Sequence, residues 1–334
     1  MQKIIQSLRL FGTIIAILTS HYSLSAQQLG RGRPPMRKHT IIQKKEWQPV
    51  PATKNLRFEN KSAIQKRQKE IQVAANGIPE HKVGQFPNRG NPHTIREQAY
   101  EFVVRTDQSA SRQITPLHND TEFGPPNTPF GIAVNGVLFD PGTAEFYNGD
   151  RRSDWNYEAL SGAVPLGVDE NNAHVQPNGA YHYHGLPTGL LEKLKVNDKE
   201  HSPLIGYGMD GYPIYAIYGY KEPKDSKSSI KKLKSSYRLK KGMRPRSAWN
   251  PAGKYDGTFS KDYEYVEGFG DLDECNGRFT VTAEYPEGTY AYFLTEDWPA
   301  IPRNFKATPL KLRGGPPHSN GHRHRPPPRP RRFP

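Results

Sequence analysis

Between Gln176 and His184 the chain runs Gln-Pro-Asn-Gly-Ala-Tyr-His-Tyr-His, a turn signal leading straight into alternating tyrosines and histidines. Few local patterns restrict a fold more. Proline holds φ at about −65°, asparagine suits the next turn position, and glycine accepts the positive φ that a bulged hairpin loop requires. On a strand successive side chains point to opposite faces, so His182 and His184 share one face and Tyr181 and Tyr183 the other. If Pro177, Asn178 and Gly179 form a three-residue loop, Gln176 lies opposite Ala180, Val175 opposite Tyr181, and His174 opposite His182. Directly opposed residues share a face. That register brings His174, His182 and His184 together. A two-residue loop of Asn178 and Gly179 would instead pair His174 with Tyr183 and dissolve the cluster; Pro177 favours the longer loop.

Three neutral imidazoles suit a transition metal ion (zinc, copper or iron), and three histidines with an open fourth position are the ligand pattern of catalytic zinc. The competing reading is a ladder of histidines and tyrosines that stabilises a half-buried sheet by stacking and hydrogen bonding. Carboxylates available to a metal include Asp169, Glu170, Asp210, Asp273 and Glu274. Asp273 and Cys275 are weaker ligand candidates, because a thiolate beside two imidazoles makes a copper-type site. Should the ion activate water for hydrolysis, Asp210 or Glu274 is the expected general base. Each has a plainer role: Asp210 opens a turn, Cys275 is a small buried hydrophobe, and Asp273 or Glu274 pairs with Arg278. Whether His201 joins the cluster stays open. Nucleophile elbow, phosphate loop and dinucleotide fingerprint are all missing from the sequence, and a serine hydrolase would need the first of them.

Short apolar runs between turn residues dominate the rest: Tyr100–Val104, Phe130–Phe139 broken by Asn135-Gly136, Leu204–Tyr218 broken by Asp210-Gly211, and Thr289–Leu294. Asn-Gly and Asp-Gly in such places suit type I′ hairpin turns. The expected fold is mainly β, a sandwich or barrel-like antiparallel domain with a few short helices and disordered basic termini. The expected core helices are 156–163 and 188–195. Residues 61–75 read as a short basic helix carrying Ile64 and Ile71, within a basic and largely disordered arm spanning 27–95.

The first 26 residues place Lys3 and Arg9 before an apolar run from Leu10 to Leu18 and a small-residue exit at Ser23–Ala26, the pattern of a signal peptide. The expected location is secreted, periplasmic or in the cell envelope, with no transmembrane span after signal cleavage. One cysteine, Cys275, rules out an intrachain disulfide, so burial must supply the stability. A net charge of +14 hints at nucleic acid, but it is segregated: +10 on 27–95, +9 on the insertion 221–246, +6 on the tail 313–334, and −13 on the remaining body. Basic charge carried by extensions of an acidic body, in an exported chain, argues against a nucleic-acid partner. The insertion reads as a solvated loop, or else as a dock for an acidic partner.

At Tyr181-His182-Tyr183-His184 the sequence resembles the YHYH-domain proteins, exported proteins found mostly in bacteria. Further stretches that look like the family are Ala173–Gly179, Leu204–Tyr207, Met209–Tyr215, Leu272–Arg278 and Tyr285–Thr295, together spanning about 130–305 of an expected domain at 96–312. The resemblance implies a domain and an envelope or extracellular setting, and brings no catalytic residues with it. Two functions fit: an exported metal-binding protein, with metal-dependent hydrolysis as its enzymatic form, or a non-catalytic surface adhesion or carbohydrate-binding module. The corresponding partners are a small molecule and a cell-envelope polysaccharide.

Overall fold

A computed structural model describes residues 48–111, 113–118, 128–150, 153–247 and 249–312. The expected signal peptide, the arm from 27 to 47 and the tail from 313 lie outside these residues.

Strands β1 (Ser62–Arg67), β2 (Glu70–Ala75) and β3 (Tyr100–Arg105) form an antiparallel sheet in that order. The expected helix over 61–75 is therefore a β-hairpin. Ile64 and Ile71 are seven residues apart, which mimics a helical repeat, but burial follows period two: Ile71, Val73 and Ala75 are buried while Gln72 and Ala74 are exposed. Nor is 48–95 an unpacked arm. Ile71, Val73, Ile78, Val83 and Ile95 are all buried in the main core. Their apolar content is diluted by charged neighbours on the solvent face, so the segment reads as disordered in composition alone.

The remaining strands are β4 (Thr115–Pro116), β5 (Gly131–Ala133), β6 (Leu138–Phe139), β7 (Ala173–Val175), β8 (Tyr181–Tyr183), β9 (Gly206–Gly208), β10 (Pro213–Ala216), β11 (Tyr218–Tyr220), β12 (Ile230–Lys232), β13 (Tyr237–Leu239), β14 (Tyr263–Tyr265), β15 (Gly277–Thr280), β16 (Thr289–Leu294) and β17 (Asn304–Phe305). Eight of them make the central sheet, in the order β15-β16-β10-β9-β5-β6-β8-β7. The protein is mainly β, as its turn-punctuated sequence leads one to expect. The sheet is mixed, since β10 pairs β16 and β6 pairs β8 in parallel, and among the described residues it stays open.

Helix α1 (Thr188–Lys193) starts behind Pro187 and buries Leu190 and Leu191. It ends short of the expected 195, where Lys195 takes a positive φ of 56°. The helix expected over 156–163 is only a 3-10 turn at Ala159–Ser161. Asn156 and Tyr157 are drawn into bridges with Phe146 and Phe259, and Gly162 adopts a left-handed conformation that ends the turn.

Three hairpin loops share one construction. The amide of Gly136 donates to the Ala133 carbonyl, Gly179 to Gln176, and Gly211 to Gly208, at 2.8, 2.8 and 2.9 Å. In each loop only the glycine has positive φ (79°, 91° and 90°). These are type I turns closed by a glycine bulge, so the type I′ expectation at Asn135-Gly136 and Asp210-Gly211 fails. Asn135 and Asp210 stay right-handed because their glycine alone takes the left-handed position.

The basic insertion 221–246 is built into the fold. Strand β12 pairs β11, β13 pairs β14, and Leu233, Ser235 and Ser236 are buried. Arg244 is buried with both Nε and Nη2 donating to the Asp262 carboxylate, at 2.8 and 2.6 Å, and with Asp256 2.6 Å from Nη2.

Candidate metal centre

The β7–β8 hairpin has the register its loop demands: His174 opposite His182, Val175 opposite Tyr181, and Ala173 opposite Tyr183. The Gln176–Ala180 and Gln176–Gly179 backbone bonds close the three-residue loop. His174, His182 and His184 therefore lie on one face, and one ring nitrogen from each falls within 4.8 Å of the other two. Their ring centroids are 4.7, 4.6 and 4.7 Å apart, a nearly equilateral triangle of edge-to-face rings. His182 and His184 are buried and His174 is half-buried.

The second ring nitrogens meet the backbone. Nδ1 of His174 lies 2.9 Å from the Leu166 carbonyl, and Nδ1 of His182 lies 3.2 Å from the Ala180 carbonyl. A carbonyl can only accept, so both Nδ1 atoms carry the proton and both Nε2 atoms keep a lone pair. Nδ1 of His184 is buried without a hydrogen bond of normal geometry, although the Pro141 carbonyl is near enough to favour a charged ring. Burial dominates nonetheless. It lowers His174 to about 4, against the Leu166 bond and with the help of His93. His184 is held well below the usual imidazole range by burial, then by His174 and His182. At neutral pH both rings are uncharged, the state a metal requires of them.

Behind the histidines, the tyrosines of the same strand are fully buried in a polar network. Tyr181 donates to Asp169 Oδ2 at 2.8 Å; Asp169 also accepts from the amides of Gly84 and Asn171 at 2.8 and 2.9 Å. The Tyr183 hydroxyl meets His81 Nε2 at 2.7 Å and accepts from Asn135 Nδ2 at 3.0 Å. Two segments distant in sequence thus anchor the strand from its far side.

The other sequence candidates are elsewhere. Asp210 is buried in the β9–β10 loop, its Oδ2 accepting from Tyr292 at 2.5 Å and from the Ala307 amide at 3.0 Å. Burial raises its carboxyl to about 6. Asp273 accepts from Tyr290 and lies 3.1 Å from Lys306 Nζ. Cys275 is buried near them, its thiol pushed up to about 12 by burial and then by Asp273. Glu274 is exposed. Among the described residues none of these four joins the histidine group, and neither does His201, whose ring packs on Tyr215, Tyr220 and Phe293. Of the tyrosines, Tyr181, Tyr183, Tyr207 and Tyr215 are core rather than a surface platform.

Sequence reasoning misses one carboxylate near the histidines. Gln176 follows β7 on the face of His174, and its Nε2 donates to Asp140 Oδ2 at 2.9 Å. Asp140 follows β6, whose Leu138 and Phe139 pair in parallel with His182 and Tyr183, and its amide donates to the Tyr183 carbonyl at 2.9 Å, so this buried acid lies along the strand that carries the histidines. A parallel pairing across more than 40 residues has no local sequence signal.

No curated protein and no solved structure matches the chain. A family model described as YHYH protein matches residues 113–307, more than half of the 334 residues, and holds the whole β6–β8 histidine face. The chain belongs to the YHYH protein family.

Proposed function

We propose that this protein binds a transition-metal ion through Nε2 of His174, His182 and His184, in an exported setting consistent with the character of residues 1–26. One contact carries the reading. Nε2 of His182 lies 3.0 Å from Nε2 of His184. With Nδ1 of His182 donating to Ala180, its Nε2 holds a lone pair. If His184 likewise holds its proton on Nδ1, two lone pairs face each other. If His184 instead donates from Nε2, its buried Nδ1 becomes an acceptor with no donor, at a cost of about 1–3 kcal/mol. A cation between the two nitrogens removes both defects. Nitrogens bound to one tetrahedral zinc stand about 3.3 Å apart, given Zn–N of about 2.0–2.1 Å, close to the observed spacing.

Backbone carbonyls at Nδ1 are also what orients a ligating histidine and fixes its tautomer. Neutral imidazoles suit Zn²⁺, Cu²⁺ or Fe²⁺. His174, the least buried of the three, offers the route to solvent and an open coordination position. For hydrolytic chemistry at that position Asp140, which bonds to Gln176 beside β7 and follows the strand paired with β8, is a better candidate general base than Asp210 or Glu274, which lie elsewhere.

Elemental analysis of the purified protein beside a His182→Ala, His184→Ala variant tests the reading. Near-stoichiometric metal in the wild type and loss of it in the variant is expected. Equal metal content in both, or failure of the chelated wild type to retake zinc, copper or iron, would sink it.

A further inference from the structure

A cleft of about 650 Å³ opens between Tyr147, Trp155, Trp249 and Tyr255, within the roughly 300–1,000 Å³ of small-ligand sites. Its wall is preformed. Tyr147 and Trp155 stand edge-on to the buried Phe259, with centroids 6.0 and 5.6 Å away. Trp155 is further held by Nε1 donating to Asn250 Oδ1 at 3.0 Å. Trp249 leaves 76% of its surface exposed, more than any other large apolar side chain among the described residues. A single exposed tryptophan means little; four aromatic rings around one recess do.

Charge narrows the class of ligand. The lining holds two acids, Asp150 and Asp154, and two lysines, Lys240 and Lys261. Lys261 pairs with Asp154 at 2.5 Å, and Lys240 donates to the Lys261 carbonyl at 2.8 Å. A cage for an organic cation needs free aromatic faces with unopposed negative charge, and Lys240 already lies 5.6 Å from the Tyr255 ring. An anion site needs unopposed positive charge. Among the described residues the cleft has neither. The exposed Trp249 ring matches the C–H face of a pyranose ring, and among the described residues the balanced rim, with Asn148 and Asn250, matches the hydroxyl edge.

We propose that this cleft binds a neutral oligosaccharide, independently of the histidine centre, none of whose residues lines it. The test titrates the full-length protein with cellohexaose, xylohexaose and chitohexaose, read by tryptophan fluorescence and calorimetry. Saturable binding of at least one, with Kd of about 10 μM to 1 mM, is expected. Trp249→Ala should weaken it at least tenfold while leaving the melting curve unchanged, since that ring is exposed. Tyr255→Ala should weaken it too, while chelation and the double histidine variant should leave it intact. The proposal is overturned by no binding of any probe at about 10 mM, by binding that Trp249→Ala and Tyr255→Ala leave intact, by choline competing for the cleft, or by binding that vanishes with the metal.

Discussion

Acidification of the metal-free protein separates the histidine face from the rest of the fold. His174 titrates near 4 in the folded chain and near 6.5 when unfolded, so between those pH values the unfolded state binds a proton that the native state refuses. Stability is then unaffected above pH 6.5, falls as pH drops through this window, and levels off below about 4. The full effect is 2.5 pH units at 1.36 kcal/mol each, about 3 kcal/mol, an upper bound because His174 is only half-buried. Asp210 works in the opposite sense. Its carboxyl sits near 6 folded and 3.8 unfolded, so the native state holds a proton that the unfolded chain has lost. Its contribution falls as pH rises from 3.8 to about 6, again by about 3 kcal/mol.

Two opposed effects of similar size occupy nearly the same window, so the wild-type profile alone says little. The difference between variants is what discriminates. Denaturant unfolding at pH 4 to 7, after chelation, should show Asp210→Asn losing stability with acid more steeply than wild type. His174→Gln should lose it less steeply, or gain. Each slope difference should approach about 1 kcal/mol per pH unit near pH 5. Only slopes count, since either substitution also shifts overall stability through packing. Profiles for wild type and both variants that run parallel would refute the assignment of a buried neutral His174.

Three other outcomes follow from the same structure. Because His174 and His184 resist protonation, zinc affinity measured by competition should fall by no more than about tenfold from pH 7 to 5.5, the cost of one ordinary imidazole; a hundredfold loss contradicts the burial of these rings. Asp169→Ala leaves the Tyr181 hydroxyl and the Gly84 and Asn171 amides without their acceptor, and at about 1–3 kcal/mol each, softened by relaxation, denaturation should show a loss of about 3–5 kcal/mol; less than 1 would mean the network is replaceable by water. Gly179→Ala places a Cβ 2.7 Å from the Arg96 side chain at φ of 91°, so unfolding free energy should drop by about 1–2 kcal/mol, and an unchanged value would contradict the bulged loop.

What the sequence reveals of this fold is what the chain settles over a few residues. Pro177-Asn178-Gly179 determines loop length, loop length determines register, and register determines that three histidines share a face. The short apolar runs Tyr100–Val104 and Thr289–Leu294 likewise find β3 and β16. Failures come where contacts are distant. Gln72 and Ala74 face solvent between buried Ile71, Val73 and Ala75, and only the sheet they join shows that 48–95 belongs to the core. Asp140 comes alongside the histidine strand through a parallel pairing, and Leu166 reaches His174 through an irregular loop. Asp273 and Cys275 were plausible ligands by type, but β15 and β16 carry them to the opposite end of the sheet order from β7.

One strand of three residues serves two environments because its period of two sends alternate side chains to opposite faces. The tyrosine side is fastened by side-chain hydrogen bonds to His81, Asp169 and Asn135. The histidine side is fastened by main-chain carbonyls, from Leu166 and from Ala180 within the hairpin itself. Carbonyls cannot be altered by substituting their own side chains, so ring orientation here depends on the β6–β8 and β7–β8 pairings rather than on any neighbouring residue's identity. The triad is consequently as rigid as the sheet beneath it. A rigid set of imidazoles selects among ions by nitrogen spacing and geometry, not by adjusting to whichever ion arrives. On the proposed reading, metal preference rests in the hairpin register, and the register in the three residues of its loop.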